Sequence, residues 1–110
     1  MMYVEFKAGN KEYKLRLNTR NIVNLEKQLG CNPIAIFGDG DSMPTITAMV
    51  NILYASLQQL QHGITLNEAY DIFDAYLEEH STTDFLSVII EVYKMSGIIR
   101  DDSKGEDEKN

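Results

Sequence analysis

Two runs of strict alternation open the chain. Met2, Val4 and Phe6 alternate with Tyr3, Glu5 and Lys7, and Tyr13, Leu15 and Leu17 alternate with Glu12, Lys14 and Arg16. Period two means strands, here over about 2–7 and 12–17. With Gly9-Asn10 at the centre of a two-residue turn, Phe6 faces Tyr13, Val4 faces Leu15 and Met2 faces Leu17. The same register sets Lys7 against Glu12 and Glu5 against Lys14, so both faces agree on one hairpin. A two-stranded ribbon is marginal alone, and its apolar face needs cover.

From there the apolar spacing changes to three and four, the period of a helix face. A first helix is predicted over about 19–29, capped by Asn18 or Thr19, with Ile22, Leu25 and Leu29 inward and Gly30 as a left-handed stop. Asn32-Pro33 restarts a short helical turn through Ile34, Ile36 and Phe37, and Gly38-Asp39-Gly40-Asp41 breaks it as a mobile loop. A second helix spans about 44–62, capped by Ser42 and closed by His62-Gly63. A third spans about 66–79, opened by the capping-box spacing Thr65 to Glu68, with Leu66, Ala69, Tyr70, Phe73 and Leu77 as its stripe. The fourth covers about 83–96, opened by Ser81 and Asp84, and is apolar around most of its circumference. The fold class is α+β, mostly α: one hairpin-plus-helices domain over 1–99 and an acidic, disordered tail over 100–110.

The second helix stands out. Residues 43–62 contain no Asp, Glu, Lys or Arg, although a quarter of the chain is charged. A helix facing bulk water usually carries Lys and Glu, so this one is covered on most sides, by its own domain or by a partner. The expected division is burial for 46–57 and exposure for 58–62, where three Gln side chains cluster.

Charge narrows the partners. The formal net charge is −7, which argues against a nucleic-acid backbone binder. Residues 1–30 carry six basic against three acidic side chains, whereas 31–99 carry only Lys94 against nine acids. A single cysteine, Cys31, excludes an internal disulfide and any Cys-based metal site; it is expected half-buried and inert. The chain shows no signal-peptide pattern, and the uncharged stretch is too polar for a bilayer core, so a soluble intracellular setting is expected.

Catalytic chemistry finds little support. His62 and His80 sit at predicted helix ends, with neither a nucleophile nor an orienting acid nearby in sequence. Asp71, Asp74 and Glu78 share one helix face and read as a solvated acidic surface rather than a cation site. No glycine-rich phosphate loop is present. Neither a cofactor nor a metal is expected. What remains is apolar surface on the hairpin, the second helix and the fourth helix, divided between core and interface. For partner contact the sequence points to Met49, Leu53, Tyr54 and Leu57 of the second helix, with Ile89, Val92 and Tyr93 of the fourth.

The order of these features resembles a known family. A hairpin ending Asn10-Lys-Glu-Tyr-Lys-Leu-Arg-Leu17 leads to a helix with Leu25-Glu-Lys and Leu29-Gly30. Asn32-Pro33, the uncharged helix, Gly63-Ile-Thr-Leu-Asn-Glu-Ala-Tyr-Asp-Ile72 and a last helix closing at Ser96-Gly97 follow. Over about residues 3–99 this is similar to the tail assembly chaperones of long-tailed, siphovirus-like bacteriophages and prophages of Gram-positive bacteria. The resemblance implies a non-enzymatic protein that binds the tape-measure protein, keeps it soluble and helps recruit tail-tube subunits. It implies work in the host bacterial cytoplasm and absence from the mature virion. It also implies a possible longer product made by translational frameshifting, for which Glu108-Lys109-Asn110 is a candidate slippery site. A rival reading is a structural tail-completion or connector subunit that forms an oligomeric ring, its basic hairpin set against an acidic neighbour. A third is a host-directed regulator using the acidic third-helix face.

Overall fold

The computed structural model describes residues 2–38 and 43–100. Its hairpin, β1 (Val4–Ala8) and β2 (Lys11–Leu15), has the register read from the sequence: Val4 opposite Leu15, Glu5 opposite Lys14, Phe6 opposite Tyr13, Lys7 opposite Glu12. Gly9 takes φ 64° while Asn10 stays out of the left-handed region, the pattern of a type II′ turn. Phe6, Ala8, Leu15 and Leu17 are buried on one face. Glu5, Lys7, Glu12 and Lys14 point to solvent from the other, while Lys11 stands at the tip of the covered face.

Four helices supply the cover: α1 (Thr19–Leu29), α2 (Ile46–Leu57), α3 (Leu66–Leu77) and α4 (Thr82–Met95), with a 3-10 turn at Pro33–Phe37 between the first two. Each has the side-chain cap its sequence offers. Asn18 Oδ1 accepts from the Asn21 N–H, and Gly30 closes α1 at φ 73°. Thr65 with Glu68, and Ser81 with Asp84, form reciprocal capping boxes. The cap of α2 is Thr45, whose hydroxyl accepts from the Ala48 N–H, so the helix starts later than a Ser42 cap requires. Ser42 itself and the loop expected at 39–41 lie outside the described residues, as do 101–110 with the expected tail and slippery site.

Helix α2 is central, packing on α1, α3, α4 and β2. Met49, Val50, Ile52, Leu53 and Leu57 are all buried, and Ser56 is satisfied by donating to the Ile52 carbonyl. Absence of charge along this helix is thus explained by its own domain. Two corrections follow. The helix ends at Leu57, because Gln58 and Gln61 turn back to bond the backbone instead of continuing outward. And burial is displaced relative to 46–57: Ile46 is 52% exposed at the first turn, while Gln58–Gln61 are half-buried.

The buried face of α3 is also turned from the expected stripe. Ala69, Ile72, Phe73 and Tyr76 are buried, whereas Tyr70 and Leu77 are exposed. An aromatic cluster decides this. Phe6 stacks on Tyr76 with centroids 4.9 Å apart, Phe73 meets Phe85 edge-on at 5.1 Å, and Phe85 meets Phe6 at 5.9 Å. Such pairs add about 1 kcal/mol each beyond burial, enough to rotate a helix by part of a turn.

Backbone clamps join the hairpin to both sides of the helical layer. Arg16 Nη1 donates to the carbonyls of Met2 and Met95, at 2.9 and 3.0 Å, and the Leu17 N–H donates to Ser96 Oγ. A guanidinium on a terminal carbonyl of α4 also complements the negative end of that helix. On the far edge of β2, the Arg16 N–H donates to the Ser56 carbonyl. One residue pair along, the Gln61 amide spans Lys14: the Lys14 N–H donates to Oε1 and Nε2 donates to the Lys14 carbonyl. The side-chain amide acts as a one-residue strand.

Candidate partner-binding cleft

Where β2 and the hairpin turn overhang α3 between Glu68 and Ala75, a cleft of about 580 Å³ opens. Ala8, Tyr13, Ile64, Ile72 and Ala75 give it an apolar lining, and Lys11, Glu68 and Asp71 stand around it. Gly9 closes one end; a Cβ there would lie 3.6 Å from the Ala75 methyl, so the turn rests directly on α3. The cleft follows from two local rules. Tyr13 is on the covered face of β2 but near the hairpin tip, where the narrow ribbon outruns the helices beneath. The capping box fixes Glu68 at the start of α3, directed at the cleft mouth.

Its electrostatics are set by these neighbours. The Glu68 carboxyl is held below the usual carboxylate range, chiefly by the Thr65 backbone N–H and hydroxyl, with Lys11 assisting. The Tyr13 phenol is pushed up by burial and then by the Glu68 charge, so it stays a neutral donor. An apolar trough with one neutral hydroxyl and charges of both signs at its rim suits the apolar ridge of an amphipathic helix.

Two smaller clefts flank α2. One of about 340 Å³ lies against α1, lined by Asn21, Asn24, Gln28, Asn51, Tyr54 and Gln58 among others. Another of about 260 Å³ lies by Leu29, Cys31, Ile36, Met43, Pro44 and Ala48.

The residues singled out in the sequence are placed differently. Met49, Leu53 and Leu57 of α2, and Ile89, Val92 and Tyr93 of α4, are core residues with at most 1% exposure. They touch the chain's own elements and present nothing to a partner in this conformation. The reason is the hairpin and α3, whose combined apolar face is wide enough to consume both helices. Tyr54 alone reaches the surface, half-buried at the edge of the α1–α2 cleft. Tyr13, Ile64 and Ala75 were missed, since each reads as an ordinary core position; only their nearness to the hairpin tip could have marked them.

Among the other candidates, Cys31 is exposed rather than half-buried, standing at the rim of the cleft by Leu29 and Ile36. His80 stacks on Tyr76 at 4.5 Å, with Nδ1 3.8 Å from Asp84 across the α3–α4 junction. Asp71, Asp74 and Glu78 lie exposed along one face of α3. Among the described residues no three His, Cys, Asp or Glu side chains are grouped to hold a metal ion, and no helix is long and apolar enough to cross a membrane.

Residues 4–110 match the model of DUF6096, a family of unknown function. The chain belongs to that family. DUF6096 membership spans the hairpin and all four helices, so the cleft lies wholly within the family's domain. No curated protein and no solved structure matches the chain.

Proposed function

We propose that this DUF6096 chain is a tail assembly chaperone of a long-tailed phage or prophage, a holdase for the tape-measure protein. The reading is supported by the sequence resemblance and, in the fold, by one observation above all: the open cleft between hairpin and α3. Its dimensions and its apolar floor fit one or two turns of an amphipathic helix, the repeating element of a long helical ruler. The Glu68 and Asp71 carboxylates meet the basic flank of such a helix, and Lys11 meets its acidic flank. A net charge of −7 keeps the loaded complex soluble. No step of this work requires catalysis. In this reading the protein acts in the host bacterial cytoplasm, hands the tape-measure protein to tail-tube subunits and is absent from the mature virion. A frameshifted longer product belongs to the same proposal.

The test is co-expression with the product of a long, helix-rich reading frame downstream of this gene. Expected is a several-fold rise in the soluble fraction of that product, lost with Tyr13→Ala while the variant's circular dichroism is unchanged. No such reading frame, or no change in solubility with the wild-type chain, overturns the proposal.

A further inference from the structure

The two edges of the hairpin are treated differently. The outer edge of β2 is closed over its second half, with Lys14 bonded on both sides by Gln61 and the Arg16 N–H held by Ser56. Because Lys14 and Arg16 direct their backbone groups away from β1, their partners across the ribbon do the same in the opposite direction. Glu5, opposite Lys14, and Lys7, opposite Glu12, therefore turn their N–H and C=O outward from β1. Among the described residues no hydrogen bond reaches these outward groups. Both side chains are exposed.

We propose that β1 pairs antiparallel with β1 of a second copy of this chain, joining two hairpins into one four-stranded sheet. The parity of the outward groups allows only registers that set odd residues opposite odd residues. Three such registers place the two-fold axis within the Glu5–Lys7 segment that carries the outward groups of β1. One sets Glu5 against Glu5, and another sets Lys7 against Lys7; both put like charges face to face, which is destabilising. The third has its two-fold axis at Phe6. It sets Glu5 against Lys7 of the other copy twice over, so every charged pair is complementary.

The order Glu-Phe-Lys is thus self-complementary under two-fold rotation, whereas an edge protected from pairing typically carries lysine of one sign. In this register Glu5 and Lys7 exchange both backbone bonds with their counterparts, using all four outward groups of each strand. The contact is isologous and leaves only β2 edges outside, which Gln61 and Ser56 close at Lys14 and Arg16, so that among the described residues of that edge Glu12 alone keeps outward groups, too few to add a strand. Growth stops at two. This inference stands on the edge geometry alone and is independent of the proposed function.

Sedimentation equilibrium of the full chain tests it. The mass should rise from 12.5 kDa toward twice that value as concentration is raised from about 5 to about 500 µM, a span suited to a small interface. Lys7→Pro removes an outward N–H that the monomer does not use, and it should leave the fold intact yet abolish the mass increase. Glu5→Lys and Lys7→Glu should each be monomeric alone, and an equimolar mixture of the two should recover the doubled mass. A wild-type chain that stays at 12.5 kDa throughout overturns the proposal. So does a larger ring, or a folded Lys7→Pro chain that still doubles.

Discussion

At the scale of single residues, Tyr93 shows how closely this small fold is fitted. Its ring is fully buried and meets Phe37 edge-on, and its hydroxyl donates to the Pro33 carbonyl at 3.0 Å. One phenol thereby fastens the 3-10 turn to α4. Tyr93→Phe leaves that buried carbonyl without its donor and should lower unfolding free energy by about 1–2 kcal/mol in urea titration. The same burial pushes the phenol's pKa well above its ordinary value, and Tyr13 and Tyr76 are raised as well. A folded state that holds these protons more tightly than the unfolded chain is at full strength below the ordinary phenol pKa of about 10. It loses stability as pH climbs from there through the raised values. Thermal melts should therefore show a steep alkaline decline, and Tyr93→Phe should flatten it. Glu68 works in the other direction. Its lowered pKa contributes above the usual carboxylate range and is lost as pH falls through the depressed value, so amide protection factors in the first turn of α3, corrected for the intrinsic exchange rate, should drop in acid.

Among the elements, the hairpin depends on side chains that come from outside it. Gln61→Leu should unseal β2 at Lys14: stability falls by about 1 kcal/mol, and the Lys14 amide loses most of its protection in hydrogen exchange while the Phe6–Tyr13 pair keeps its own. Unchanged Lys14 protection would mean that water serves that edge equally well. The hairpin register was legible in the sequence because two independent faces, one apolar and one charged, select the same pairing. Capping residues were legible for a similar reason, since Thr65–Glu68 and Ser81–Asp84 are local. The face of α3 was not. Leu66, Tyr70 and Leu77 keep helical spacing as well as Ile72 and Tyr76 do, and only the distant Phe6 and Phe85 choose between them. The end of α2 was hidden likewise, because what stops it is the Lys14 backbone, 47 residues away from Gln61 in the chain.

For the molecule as a whole, an uncharged helix had two meanings, core or interface, and composition alone does not separate them. The fold assigns α2 to the core. Leu53→Asp should consequently unfold the protein outright, visible as loss of far-ultraviolet dichroism at room temperature, since it buries an unpaired carboxylate. Any study of partner contact needs the cleft positions instead, where Tyr13→Ala removes surface from the trough without opening the centre. The cleft was illegible because it is made by two segments some fifty residues apart, neither of which looks unfinished alone.

The Arg16 clamp has a consequence in time as well as in space. Its guanidinium waits for a carbonyl 79 residues further on, and the Leu17 N–H waits equally long for Ser96. During synthesis the hairpin is therefore made first and fastened last. Until α4 has emerged, the apolar face of β1 has only part of its cover and Phe6 lacks Phe85. A nascent chain of this kind stays open along its earliest segment for most of its translation and closes in a single late step. A pause of the ribosome at any codon between emergence of the hairpin and emergence of α4 would prolong the life of that open form by the length of the pause.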